Sequence, residues 1–230
     1  MSQLEPLYDR HLTCVVCHQA YSTKKIRSRF IKAVKYDTDF FTHYEKEELN
    51  PIFYHVNVCP HCGFSTTEDF MPYFPPNSLN TIKEKVWNQW KVQNYGEKRT
   101  LEQAISSYKL ALYCASLKKE KHITTAGLLL RLAWLYRIKG NEQSEMHFLT
   151  YARQEYIQSY SRDDFRGTQM SAARILYMIG ELSRRIGDYK QSAFYFSQII
   201  QKHTKSGDQK IVEMARDRWY EIREQHATVM

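Results

Sequence analysis

Met71-Pro-Tyr-Phe-Pro-Pro-Asn-Ser78 divides the chain into two parts of different character. Three of the six prolines sit in this stretch, the other three precede it, and the 154 residues after Pro76 contain none. Average usage would place about seven or eight there. Proline lacks a backbone N–H, and its ring collides with the preceding turn of a helix. A proline-free stretch of this length therefore reads as all helix, with a boundary at 78/79.

The second part, 79–230, carries helix signals throughout. Thr81-Ile-Lys-Glu84 and Thr100-Leu-Glu-Gln103 fit capping boxes, and Gly140 and Gly187 fit helix-ending positions. These signals predict helices near 80–94, 100–118, 123–139, 141–160, 168–186, 188–204 and 208–226. Gly140 and Gly187 are 47 residues apart, and Leu129, Leu132, Ala133 and Tyr136 stand before the first as Leu176, Ile179, Gly180 and Ser183 stand before the second. Ser144 with Phe148, Ser192 with Phe196, and Ala104 with Tyr108 repeat a small residue followed by an aromatic one turn later. Small residues let helices approach closely, and the aromatic ring fills the space beside them. The pattern resembles the tetratricopeptide repeat, Gly187-Asp-Tyr189 standing where that family has its inter-helix turn. The resemblance implies an array of helical hairpins, although the family period is shorter, near 34 residues. Lys210 to Gln225 would cap the array with a polar outer face.

The first part, 1–78, reads as short strands and loops. Lys25 to Val34 alternates in part, with Ile26 and Phe30 on one side and Arg27 and Arg29 on the other, and Phe53 to Val58 alternates more cleanly. The fold class expected is α+β, mostly α: a small β and loop module followed by the helical array.

Two C-x-x-C pairs, Cys14-Val-Val-Cys17 and Cys59-Pro-His-Cys62, are separated by 41 residues. A two-residue spacing lets one tight turn aim both sulfurs at a single ion, and Gly63 supplies a position that tolerates positive φ. Two such turns complete a tetrahedral Cys₄ shell, the usual closed geometry of structural zinc, and thiolate softness favours zinc over magnesium or calcium. Three other readings compete. Cys59-Pro-His-Cys62 matches the active-site tetrapeptide of an oxidising thioredoxin-fold family, but that chemistry needs a βαβ unit that the sequence does not show. Four thiolates also suit an iron–sulfur cluster. His11, His18, His55 and His61 lie near the pairs and would belong outside a shell that four cysteines already fill. Cys114, alone on an apolar helix, reads as a small buried hydrophobe.

The run Cys14-x-x-Cys17, Asp37-Thr-Asp39-Phe40, Tyr44, Asn50-Pro51, Tyr54 and Cys59-Pro-x-Cys62-Gly63-Phe64 resembles an uncharacterised bacterial domain-of-unknown-function family, DUF2225. The resemblance covers about the first third of the chain by motif. It implies a bacterial cytoplasmic origin and a zinc-bound amino-terminal domain, and it implies no reaction.

Charge and composition narrow the function classes. The net charge is +8, and residues 24–35 gather Lys24, Lys25, Arg27, Arg29, Lys32 and Lys35 without an acid between them. Such a balance permits nucleic acid or acidic partners without requiring them. No apolar run reaches the roughly 18 residues of a membrane span, and no signal-peptide pattern opens the chain, so the cytoplasm is expected. Asp37, Asp39 and Tyr44 read as a solvated loop that balances the basic cluster. No phosphate loop, nucleophile elbow or His-Glu metal motif is present.

The leading expectation is a non-enzymatic zinc-binding scaffold that grips a partner protein or peptide. The groove is expected on the first helices of the hairpins, at Trp134, Arg137, Arg174, Tyr177 and Arg184, where aromatic anchors beside guanidinium groups would suit an acidic peptide or a C-terminal carboxylate. The alternatives are a nucleic-acid binder using the zinc ribbon and the basic 24–35 strand, and, less favoured, a thiol oxidoreductase.

Overall fold

The computed structural model describes residues 4–202 and 208–225. It is mostly helical, with three small antiparallel strand pairs near the amino terminus. The predicted helix ends at 203–204 and 226 lie outside the described residues. Two compact units are present. One comprises residues up to Glu120 with Trp134–Asn141, and the other Lys121–Ala133 with the residues from Glu142 onward. The proline-rich stretch lies inside the first unit.

In the first unit, β1 (Leu7–Thr13) pairs with β2 (Ala20–Ile26), Leu7 opposite Ile26 and Thr13 opposite Ala20. A second hairpin joins β3 (Ala33–Tyr36) to β4 (Thr42–Tyr44). A third joins β5 (Asn57–Val58) to β6 (Ser65–Thr66). The basic segment is therefore not one strand. It ends β2, passes through a 3-10 turn at Ser28–Phe30 and starts β3. The strand expected at Phe53–Val58 is also shorter, because Asn50 accepts a hydrogen bond from the Ile52 N–H (3.0 Å) and Pro51 opens a 3-10 turn through Tyr54. An Asx residue before proline favours such a turn over extension.

Two helices complete this unit, with the end of a third. Helix α1 (Ser78–Lys85) begins earlier and ends sooner than the capping pattern at Thr81 predicts. Asn77 at φ 66° turns the chain out of the prolines, and the Thr81 hydroxyl donates to Asn77 O within the first turn instead of capping. Helix α2 (Leu101–Lys118) does start on the predicted capping box, with Thr100 and Gln103 bonded reciprocally. Its last turn ties down the proline stretch. Lys118, 1% exposed, donates to Met71 O and to the Glu120 carboxylate, which in turn accepts the Met71 N–H at 2.9 Å. The ammonium also sits 5.0 Å from the Phe74 ring centroid.

Helix α3 (His122–Ile138) contributes its residues up to Ala133 to the second unit and its final turn to the first. Gly140 ends it at φ 72°: Asn141 N bonds to Tyr136 O and Gly140 N to Arg137 O, the paired bonds of a Schellman cap. Gly187 closes α5 (Ala172–Arg185) with the same two bonds, at φ 83°. Between them, α4 (Glu142–Arg162) leads into a loop where Thr168 closes a turn on Phe165, so α5 starts only at Ala172, capped by the Ser171 hydroxyl. Helices α6 (Tyr189–Lys202) and α7 (Gln209–Gln225) follow.

α5 is the centre of the second unit, packed against α4, α6 and α7. Leu176, Ile179, Gly180 and Ser183, which match the positions before Gly140, are buried, and so is most of the opposite face. A Cβ on Gly180 would stand 2.7 Å from the Phe196 ring, so this position needs the missing side chain for the aromatic of α6 to seat. Gly180→Ala is expected to destabilise the second unit by about 1–2 kcal/mol, the overpacking cost exceeding the helix-propensity gain of about 1 kcal/mol. Denaturant unfolding followed by far-UV circular dichroism checks this, and a stabilised variant would contradict the packing argument.

Candidate metal centre

Each C-x-x-C pair occupies the tip of a hairpin, between β1 and β2 or between β5 and β6. The two tips fold alike. His18 N bonds to Cys14 O as Gly63 N bonds to Cys59 O, both at 2.9 Å, and Cys14 N bonds to Gln19 O as Cys59 N bonds to Phe64 O, both at 3.0 Å. His18 and Gly63 take the same left-handed turn, φ 59° and 73°. The positive φ expected at Gly63 is thus present, and a Cβ there would collide with the Trp90 ring. The Trp90 indole N–H donates to Pro60 O at 2.8 Å, which draws the chain out of helix after α1 and over this tip.

The four sulfurs lie within 4.8 Å of one another. Cys14 Sγ is 3.6 Å from Cys62 Sγ, and Cys17 Sγ is 3.6 Å from Cys59 Sγ. A tetrahedron of thiolates at about 2.3 Å from an ion has edges of about 3.8 Å, whereas a disulfide needs about 2.05 Å. Cys14, Cys17, Cys59 and Cys62 are therefore free thiols spaced to hold one metal ion. All are buried, Cys59 and Cys62 completely. Hydrogen bonds from the Cys14 and Cys62 thiols pull Cys59 down to about 4, while Cys14, then Cys59 and burial push Cys62 up. Thiols this close yield one proton readily and the later ones only to a cation.

The core beneath the centre contains Val16, Phe64, Ile82, Val86 and Cys114. Cys114 is fully buried, as its apolar helix implied, and its sulfur accepts the Ser65 N–H at 3.3 Å. Burial pushes its thiol up to about 12. Of the nearby histidines, His11, His18 and His61 are exposed, and the His61 ring meets Ala20 O at 3.3 Å.

The predicted groove residues occupy different settings. Trp134 and Arg137 lie in the first unit and bind the loop before β4. The Trp134 indole donates to Asp39 Oδ2 at 3.0 Å, and Arg137 donates to Asp39 at 2.7 Å and Asp37 at 3.1 Å. Asp39 is fully buried, not solvated as its sequence context implied, while Asp37 also meets the His43 ring at 2.9 Å. Tyr177 has no exposed surface and packs on Phe196, so it offers nothing to a partner. Arg174 is exposed. Arg184 holds the buried carboxylate of Glu181, which Arg185 also binds. A surface stripe through Tyr177 fails because α5 is enclosed by three helices.

The basic 24–35 segment is similarly engaged. Lys24 pairs with Asp9 (2.8 Å), Lys25 with Glu68 (3.7 Å), Lys32 with Glu45 (3.1 Å) and Lys35 with Asp37 (3.8 Å). Arg27 lies over the Tyr8 ring. Exposed pairs contribute little stability, but each places a carboxylate beside one of these four lysines.

Residues 7–222 match the family described as "Uncharacterized protein conserved in bacteria (DUF2225)". The chain belongs to this family. The match extends well past the cysteine motifs and takes in helices α1 to α6 with most of α7. No curated protein and no solved structure matches the chain. Among the described residues no helix is long and apolar enough to cross a membrane.

Proposed function

We propose that this DUF2225 chain is a non-enzymatic, zinc-stabilised scaffold of the cytoplasm whose tetratricopeptide-like helices bind a partner protein. The observation that carries the reading is the cluster of four buried sulfurs, all within 4.8 Å of one another, with Cys14–Cys62 and Cys17–Cys59 each at 3.6 Å. Catalytic zinc keeps a ligand position for water or substrate, and four thiolates fill every position of a tetrahedral ion. Zinc is preferred to iron because two C-x-x-C turns on hairpin tips are the usual structural-zinc arrangement. The repeat reading is supported by the matching Gly140 and Gly187 caps and by the seating of Phe196 on Gly180. A protein partner is favoured over nucleic acid because the basic segment is paired with carboxylates. Exposed aromatics on the second unit, including Tyr151 and Phe194, supply apolar anchors instead.

The test is purification of the native protein under reducing conditions, with elemental analysis and mass spectrometry of what accompanies it. One zinc per chain with a co-purifying protein is expected. Iron at that stoichiometry would overturn the metal assignment. Retention on single-stranded DNA that falls steeply with salt would overturn the choice of partner.

A further inference from the structure

The outward stripe of α7 is Gln209, Glu213, Arg216, Tyr220 and Arg223, at spacings of four, three, four and three that keep them on one helix face. The other side of the helix, with Ile211, Val212, Ala215 and Ile222, is buried. Glu213, Tyr220 and Arg223 are exposed, Tyr220 at 54%. Beside the stripe runs a cleft of about 190 Å³ lined by Ser197, Ile200, Gln201, Arg216, Trp219 and Tyr220. No carboxylate lines it, and among the described residues Arg216 has no ion-pair partner. Arg223 lies over the Trp219 ring, 4.7 Å from its centroid. The terminal helix of an array normally turns a polar face outward. Here the face carries aromatic rings between charges of both signs.

The order of those charges identifies the occupant. When an identical stripe is laid antiparallel, related by a two-fold axis beside residue 218, Glu213 stands opposite the partner's Arg223 and Arg223 opposite the partner's Glu213. Arg216 then stands opposite the partner's Tyr220, a cation over an aromatic face. An acidic peptide would satisfy Arg216 and Arg223 but set like charge against Glu213. A second copy satisfies all three, and an isologous contact closes on itself. We infer that the α7 face is a homodimer interface. It goes beyond the scaffold reading and does not depend on it.

Sedimentation velocity on the full zinc-loaded chain tests this. A contact of one helix face per copy is small, so a dissociation constant on the order of 10 µM is expected. Glu213→Arg and Arg223→Glu each place like charges opposite one another twice, and each is expected to weaken the dimer at least about 100-fold. An equimolar mixture of the two variants restores both attractions and should sediment as a heterodimer, which also shows that both variants are folded. The proposal is overturned if the wild type stays monomeric to about 200 µM, if either variant alone dimerises like the wild type, or if the mixture remains monomeric.

Discussion

Removing the metal, or replacing Cys59 with serine, is expected to unfold the first unit while α4 to α7 stay folded. The hairpins that carry the sulfurs cannot stand alone. β5 and β6 have two residues each, and an isolated hairpin is marginal in water. The sulfurs themselves form the middle of the local core, with Phe64, Ile82 and Val86 packed around them. Structural zinc contributes about 10 kcal/mol or more to folding at neutral pH, comparable to the entire stability of a typical domain, about 5–15 kcal/mol. Hydrogen exchange read by mass spectrometry should show β1, β2, β5, β6 and α1 losing protection on chelation, with α5 and α6 unchanged. Cys114 gives a second readout. Its thiol, buried and held up at about 12, is inert in the folded protein and should alkylate once the metal is gone. Unchanged protection in a sample shown to be metal-free would mean that packing alone holds the hairpins.

The legible parts of this fold were those decided by neighbours in sequence. A C-x-x-C turn aims its sulfurs through four consecutive residues, so the ligand set could be read without knowing what lies beneath it. Gly140 and Gly187 act within one helical turn, and the helix ends they mark were predicted to within about two residues. Tyr177, expected on the groove, proves enclosed for the opposite reason. Spacings of three and four place Arg174, Tyr177 and Glu181 on one face, but periodicity does not tell how many neighbours surround the helix. α5 has three, and Tyr177 and Glu181 are both fully buried. Asp39 misled in the same way, since its partner Trp134 is 95 positions away. The strand drawn through Lys25–Val34 ignored the 3-10 turn at Ser28–Phe30, whose residues carry no glycine or proline to announce it.

Arg99, which no motif singled out, is the second position where a large effect is expected. It is 4% exposed. Its Nε donates to Tyr95 O at 2.8 Å, and one terminal nitrogen donates to Phe53 O at 3.0 Å and Val56 O at 2.7 Å. The other reaches the Thr23 hydroxyl at 3.4 Å, and the Tyr54 ring centroid lies 6.0 Å from the guanidinium carbon. One side chain thus joins β2, the 3-10 turn before β5 and the loop before α2. None of these partners is a carboxylate. Burial pulls the guanidinium down to about 10, so it remains charged at neutral pH and its field falls on carbonyl oxygens. Two effects oppose each other on replacement by methionine. Losing the charge relieves desolvation, while three buried carbonyls lose their donor at about 1–3 kcal/mol each. The carbonyls number three and the charge is one already well solvated by them, so the loss should win. Arg99→Met is expected to cost the first unit about 3–5 kcal/mol, and Arg99→Lys, which keeps the charge but not the planar fork, about half of that. Urea unfolding of the zinc-loaded protein, followed by tryptophan fluorescence, measures both. A methionine variant within about 1 kcal/mol of wild type would mean that water takes over the carbonyls and that the fork is dispensable.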